Sequence, residues 1–203
     1  MNTRDHWEAA YSARQANEQS WFQSKPEKSL AMIQRAGVGP GSPVIDVGGG
    51  ASNLVDFLLN DGYRDLTVLD ISATAIHTAR QRLGERAAGV QWMQQDVLTF
   101  VPPRRYAAWH DRAVFHFLTG EQDQRLYVDV LRCALQPGGG LVIATFAKDG
   151  PVKCSGLEVM RHDADSLKQV LGEGFHLEEE AIEDHLTPAG RIQRFGYYRF
   201  KYG

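Results

Sequence analysis

Apolar residues recur along the chain in two rhythms. Runs of strand length at 43–47, 66–70, 90–95, 106–110 and 141–146 alternate with stretches in which apolar positions return every three or four residues. Leu54, Val55, Leu58 and Leu59 follow the first run. Ile76, Ala79 and Leu83 follow the second, behind Ser72 in a capping position. Tyr127, Val130, Leu131 and Ala134 share one helical face ahead of the fifth, where Thr119 and Gln122 have capping spacing and Pro137-Gly138-Gly139 stops the helix. Upstream, Ser24, Pro26 and Glu27 predict a helix near 25–36. Another helix fits 164–172. Alternating runs at 175–184 and 191–202 flank the turn-like Thr187-Pro188-Ala189-Gly190 and predict an antiparallel pair.

Strands that alternate with helices require crossovers, so the pattern predicts an α/β fold: a Rossmann-like, seven-stranded, mostly parallel sheet covered by helices on both faces, with a C-terminal antiparallel hairpin. Residues 1–24 are polar with scattered aromatics (His6, Trp7, Tyr11, Trp21, Phe22), which suits a helix or arm draped on a domain. One domain over 1–203 is expected, with 1–37 as an N-terminal helical lid or arm.

Composition narrows the function. With 203 residues, 43% hydrophobic and 23% charged, the chain can bury a sizeable core. A net charge of -3 and the absence of a basic block argue against nucleic acid or an anionic membrane as partner. No apolar run has spanning length and MNTRDHWEAA lacks a signal-peptide core, so a cytoplasmic location is expected. Cys133 and Cys154 make neither a disulfide framework nor a thiolate zinc site. The histidines at 110, 116, 162 and 185 lack metal-ligand spacing, so no metal is expected.

The carboxyl ends of parallel strands are where such sheets bind ligands. Asp46-Val47-Gly48-Gly49-Gly50-Ala51-Ser52 leaves the first strand with room for close backbone approach. Asp70 ends the second strand, where a carboxylate can accept both ribose hydroxyls, and Asp96 ends the third, where it can accept from an adenine amine. Together they outline an adenosine. A dinucleotide fingerprint is incomplete, because Asn53 stands where its third glycine belongs. An NAD-dependent oxidoreductase is therefore the alternative from another class, beside a non-catalytic nucleoside-binding module.

VIDVGGGAS resembles the D/E-x-G-x-G-x-G motif of class I S-adenosylmethionine-dependent methyltransferases. LTVLDIS is similar to their second-strand acidic motif, QQDVLTF to the third, and LQPGGGLVIATF to their fifth-strand entry. Ser52 at the last glycine of the first motif is the one departure. The resemblance implies S-adenosylmethionine as cofactor and S-adenosylhomocysteine as product. It places Asp46 at the loop or the cofactor amine, Gly48 and Gly50 beside the methionine part, Asp70 at the ribose, Asp96 and Val97 around adenine, and Asp111 facing the methyl group, with Gly49 and Ile71 also binding the cofactor. HWEAAYSARQANEQSWFQSKPEKSL is similar in arrangement to the lead-in of thiopurine S-methyltransferases and elongation-factor lysine methyltransferases, which implies Trp7, Trp21 and Phe22 as a lid over the cofactor.

Methyl transfer from a sulfonium chiefly demands alignment and, for some acceptors, removal of a proton. In WHDRAVFHFLT, Asp111, Arg112 and His116 are the catalytic candidates: Arg112 as a fork for a substrate carboxylate and His116 as general base, with a structural Asp111–Arg112 ion pair as the alternative. His110 lies on the opposite strand face from Asp111 and is expected to matter less. Cys154, Arg161 and His162 belong to a loop able to roof the pocket, and His185, Thr187 and Gln193 to the terminal turn. The expected acceptor is an O, N or S nucleophile of a small molecule, with a protein lysine second and nucleic acid third; the sequence leaves the oligomeric state open.

Overall fold

The computed structural model describes residues 3–203. Five parallel strands, β1 (Val44–Val47), β2 (Leu66–Asp70), β3 (Val90–Gln94), β4 (Tyr106–Arg112) and β5 (Leu135–Phe146), continue into an antiparallel pair, β8 (Phe175–Leu186) and β9 (Ile192–Tyr202). The order across the sheet is β3-β2-β1-β4-β5-β9-β8. A two-stranded ribbon, β6 (Lys153–Cys154) with β7 (Leu157–Glu158), lies apart, in the segment expected to be a loop.

All four residues of β1 are buried because helices cover both faces at the sheet centre. On one face, α2 (Glu27–Arg35) and α3 (Leu54–Asn60) bring Met32, Ile33, Leu54, Val55 and Leu58 against Val44, Ala108 and Val142. On the other, α5 (Glu121–Ala134) and α6 (Ala164–Leu171) bring Tyr127, Leu131, Leu167 and Leu171 against Trp109, Ile143 and Phe200. Each large side chain buried this way contributes roughly 1.5–3 kcal/mol. α4 (Ala73–Leu83) follows β2 and buries Ala75, Ile76, Ala79 and Leu83.

Two helix starts differ from expectation. The residue before a proline is pushed out of the helical region, so α2 begins only at Glu27, after Pro26; the Ser24 carbonyl instead accepts from Asn53. α5 starts at Glu121 with Gly120 rather than Thr119 in the cap position. Ser72 does cap α4, accepting from the Ala75 amide at 3.1 Å.

The lead-in forms α1 (Thr3–Ala13), which buries no residue of its own. Its anchor is Glu8. The carboxylate accepts from the amides of Ala73 (2.5 Å) and Thr74 (3.2 Å) and from the Ser72 hydroxyl (3.1 Å), placing negative charge at the N-terminus of α4. Burial opposes ionisation of Glu8, but these bonds prevail and hold its pKa below the usual carboxylate value.

Candidate functional site

Register builds the site. In the parallel pairing Val47 lies beside Leu69 and Asp111, so the carboxyl ends of β1, β2 and β4 form one rim. A cavity of about 790 Å³ opens there, floored by Val47, Gly48, Asp70, Ile71, Asp96, Val97, Ala113 and Val114 and roofed by Trp7, Tyr11, Trp21, Phe117 and Cys154. The roof rings meet edge-on, Trp7 with Trp21 at 5.7 Å, Tyr11 with Trp21 at 5.8 Å and Trp7 with Phe117 at 4.9 Å. An adjoining cavity of about 560 Å³ reaches Ser29, Asp46, Gly49, Phe22 and His110. Arg112 and Trp21 line both.

Gly48 turns the chain off β1 with φ +68, and a Cβ there would run into the Val114 side chain, so the backbone itself forms the cavity wall. Asp70 closes the loop. Its carboxylate accepts from the Gly50 amide (2.9 Å) and the Ser72 amide (2.8 Å). Burial pushes its pKa up to about 6 despite those bonds, with Asp46 and Glu8 adding repulsion. Asp96 accepts from the Leu98 amide at 2.9 Å and so starts the short turn Val97–Thr99.

The first-strand acid belongs to a chain of contacts that the sequence did not reveal. Asp46 Oδ1 lies 2.7 Å from His110 Nδ1, and His110 Nε2 lies 2.9 Å from Ser29 Oγ. The second oxygen, Oδ2, is buried and has no partner. His110, expected to matter less, is thus the neighbour that holds Asp46.

The other β4 expectations divide by strand parity. Asp111 does not face the cavity: it points into the opposite layer, accepting from the amides of Val114 (2.9 Å) and Phe115 (3.2 Å) and from the Tyr127 hydroxyl (2.6 Å). Nor does it pair with Arg112. Arg112 points the other way, donating from Nε to the Tyr197 hydroxyl and from Nη1 to the Trp21 carbonyl, both at 2.8 Å. His116 lines neither cavity. It is fully buried beside Phe117, Phe146 and Phe195, ring centroids 4.5, 4.7 and 6.5 Å away. Burial, aided by the charges of Arg112 and His162, lowers its pKa to about 3. A base for the acceptor is therefore not supplied by its position.

That neutral imidazole carries a linkage. The unfolded chain binds a proton below about 6.5 and the folded chain does not until about 3, so His116 makes the fold less stable as pH falls between those values. His116→Phe removes the effect. Relative to wild type, the variant is expected to gain about 2 kcal/mol more at pH 5 than at pH 7.5, from (6.5 − 5) × 1.36 kcal/mol. Urea unfolding at both pH values measures it; an equal difference at both would contradict the assignment.

Cys154 is buried under the roof and burial pushes its thiol to about 11, which leaves it protonated. His185 donates from Nε2 to the Ser20 carbonyl (2.8 Å), and Gln23 donates to Glu183 (3.0 Å). With Arg112 on Trp21, these contacts strap the segment 20–23 across the cavities. Tyr11, Phe117, Tyr197 and Glu183 also belong to the site; only the alternation of β9, which sets Phe195 and Tyr197 on one face, carried a trace of this in the sequence.

Comparison with known proteins follows the same outline. A family model described as "Methyltransferase domain" matches residues 44–139. The chain is 28% identical over 158 residues to the eEF1A lysine and N-terminal methyltransferase of Danio rerio, covering 75% of this chain and 22% of that protein. It is 28% identical over 127 residues to the malonyl-[acyl-carrier protein] O-methyltransferase of Paenibacillus sp. (strain JDR-2), covering 59% and 45% respectively. The chain thus spans less than half the length of these curated relatives. N-methyltransferase NodS from Bradyrhizobium japonicum WM9, solved with S-adenosylhomocysteine, superposes with a TM-score of 0.74 at 20% identity, over 98% of this chain and 99% of that one. With its motifs on the strand ends of this sheet, the chain matches a methyltransferase domain over residues 44–139 and shares the fold of solved S-adenosylmethionine-dependent methyltransferases.

Proposed function

We propose that the chain transfers the methyl group of S-adenosylmethionine to an oxygen, nitrogen or sulfur of a small molecule, acting as one domain over residues 1–203 with 1–37 as its lid. The observation that carries this is a single cavity combining the Gly48 turn, the Asp70 and Asp96 strand ends and an aromatic roof. The unpartnered Asp46 Oδ2 supports an amine neighbour, and the backbone wall at Gly48 supports close approach of the amino-acid end. When bound, the cofactor supplies an electrophilic methyl on a sulfonium.

The chain's own residues hold and exclude. Asp70 accepts from the ribose, Asp96 from the adenine amine, and Ile71 and Val97 give adenine its apolar walls. Trp7, Tyr11, Trp21 and Phe117 keep water from the reacting centre, and a dry, aligned site is most of what an in-line displacement requires. A protein lysine is the second reading, supported by the Danio rerio relative. It requires the strap at 20–23 to open.

Titration calorimetry of S-adenosylhomocysteine and NADH separates the classes. S-adenosylhomocysteine is expected to bind, and Asp70→Ala to weaken it roughly tenfold or more, about 1.4 kcal/mol for the lost ribose contact. Binding of NADH alone would favour the oxidoreductase; binding without turnover on any acceptor would favour a nucleoside-binding module.

A further inference from the structure

Arg112 is more than a strap for the lid. Its side chain is 9% exposed, yet Nη2 is buried and makes no hydrogen bond among the described residues. The fork is held rigidly. Nε is fixed by Tyr197, Nη1 by the Trp21 carbonyl, and the guanidinium lies 4.4 Å over the Phe195 ring, so Nη2 has little freedom to seek a partner. The nearest anion, Glu183 Oε2, stands 3.9 Å away and already accepts from the Tyr197 hydroxyl (2.9 Å) and Gln23 (3.0 Å).

The titratable groups of Tyr197, Cys154 and His185 add no second countercharge. Burial pushes Tyr197 to about 12 and Cys154 to about 11, and burial with the charge of Arg112 lowers His185, so all three are neutral near pH 7. A buried guanidinium N–H without an acceptor costs free energy, which an oxyanion entering the cavity recovers. Arg112 lies at the end of β4 and reaches towards β9, while the glycine turn and Asp70 lie on the β1–β2 side, so its free nitrogen sits on the side of the rim away from the cofactor loop. Trp21 and Phe117 beside it offer flat apolar walls.

We propose that the acceptor is an apolar small molecule bearing a carboxylate, and that this carboxylate docks on Arg112. The inference rests on the methyltransferase reading and narrows its substrate class. A carboxylate could also come from the amino-acid end of the cofactor, and the test separates the two.

Benzoate, with benzamide as its neutral isostere, is titrated into wild type, Arg112→Gln, Arg112→Lys and Glu183→Gln, each with and without saturating S-adenosylhomocysteine, and binding is read by saturation-transfer NMR. Wild type is expected to prefer benzoate roughly tenfold or more. Arg112→Gln abolishes that preference and, by releasing the Trp21 carbonyl, weakens S-adenosylhomocysteine and 5′-methylthioadenosine by the same factor; Arg112→Lys keeps part of the preference, and Glu183→Gln strengthens benzoate by removing a competing charge. A fold defect in the arginine variants would not produce the gain at Glu183.

Equal binding of benzoate and benzamide, or no benzoate binding, overturns the proposal. So does loss of S-adenosylhomocysteine affinity in Arg112→Gln with 5′-methylthioadenosine, which lacks the amino-acid end, unaffected; that result assigns Arg112 to the cofactor. If wild type binds benzoate through Arg112 but not S-adenosylhomocysteine, the methyltransferase reading fails and the anion site stands.

Discussion

Gly50→Ala is expected to lower stability by about 3 kcal/mol or more and to weaken S-adenosylhomocysteine binding at least roughly tenfold. The backbone at Gly50 does not need glycine for its φ; space is what it needs. A Cβ there would lie 2.5 Å from the Ala75 Cβ and 2.5 Å from Asp70 Oδ2. Ala75 cannot retreat, because it is fully buried in the first turn of α4, where Ser72 and Glu8 fix the amides. Asp70 cannot retreat without giving up the Gly50 and Ser72 amides that offset the burial of its carboxylate.

The turn must therefore move outward, and the Gly50–Asp70 bond breaks. Overpacking alone costs about 1–3 kcal/mol, and a bond to a charged group contributes about 1.5–3 kcal/mol more. For a chain of this length a loss of about 3 kcal/mol corresponds to a melting-point drop of about 6–12 °C. Gly89→Ala is the control, since nothing lies within 4 Å of its Cβ and its φ is ordinary. Thermal unfolding and calorimetry on the two variants decide the matter: an unchanged Gly50→Ala protein would mean that the glycine turn is not packed against Asp70.

The strand-end acids and the glycine turn were legible because they are local. Asp46, Gly48, Asp70 and Asp96 each follow directly from a strand that the apolar run already marks, and a parallel sheet gathers such ends at one rim. The identity of the side chains facing each other was not local. β4 pairs with β1 so that Asp46 and His110 are register partners and share a face, while Asp111 falls beside Val47 and turns to the other layer. Neither strand alone contains that register. Ser29 on His110 and Glu183 on Gln23 depend on how helices and the hairpin dock, across 81 and 160 residues of sequence. The acidic run at 178–180 depends on the same docking, with Glu178 paired to Arg199 and Glu179 to both Arg199 and Arg35. The expectation of a carboxylate fork at Arg112 came from its place at a strand end, whereas its free nitrogen follows from Tyr197 and Trp21, which occupy the other two.

Asp111→Ala is expected to destabilise the protein by about 3–5 kcal/mol, the cost of removing one side of a buried charged network. Three donors, the amides of Val114 and Phe115 and the hydroxyl of Tyr127, lose their acceptor in a layer without solvent, and Tyr127 in turn holds Trp109 Nε1 at 2.9 Å. A carboxylate that served only the methyl transfer would instead lower turnover with stability intact, so urea unfolding of the variant distinguishes the two roles. The pH dependence gives a second handle through Asp111→Asn, which keeps one acceptor oxygen. Burial raises the Asp111 pKa from 3.8 to about 6, so the folded chain binds this proton more tightly than the unfolded one. The stability it contributes is complete below about 3.8 and is lost as pH rises through 6. Asparagine has no such proton. The stability gap between wild type and Asp111→Asn should therefore narrow between pH 4 and pH 6.5, and a gap that widened over this interval would mean that the amides and Tyr127 hold the carboxylate ionised against its burial.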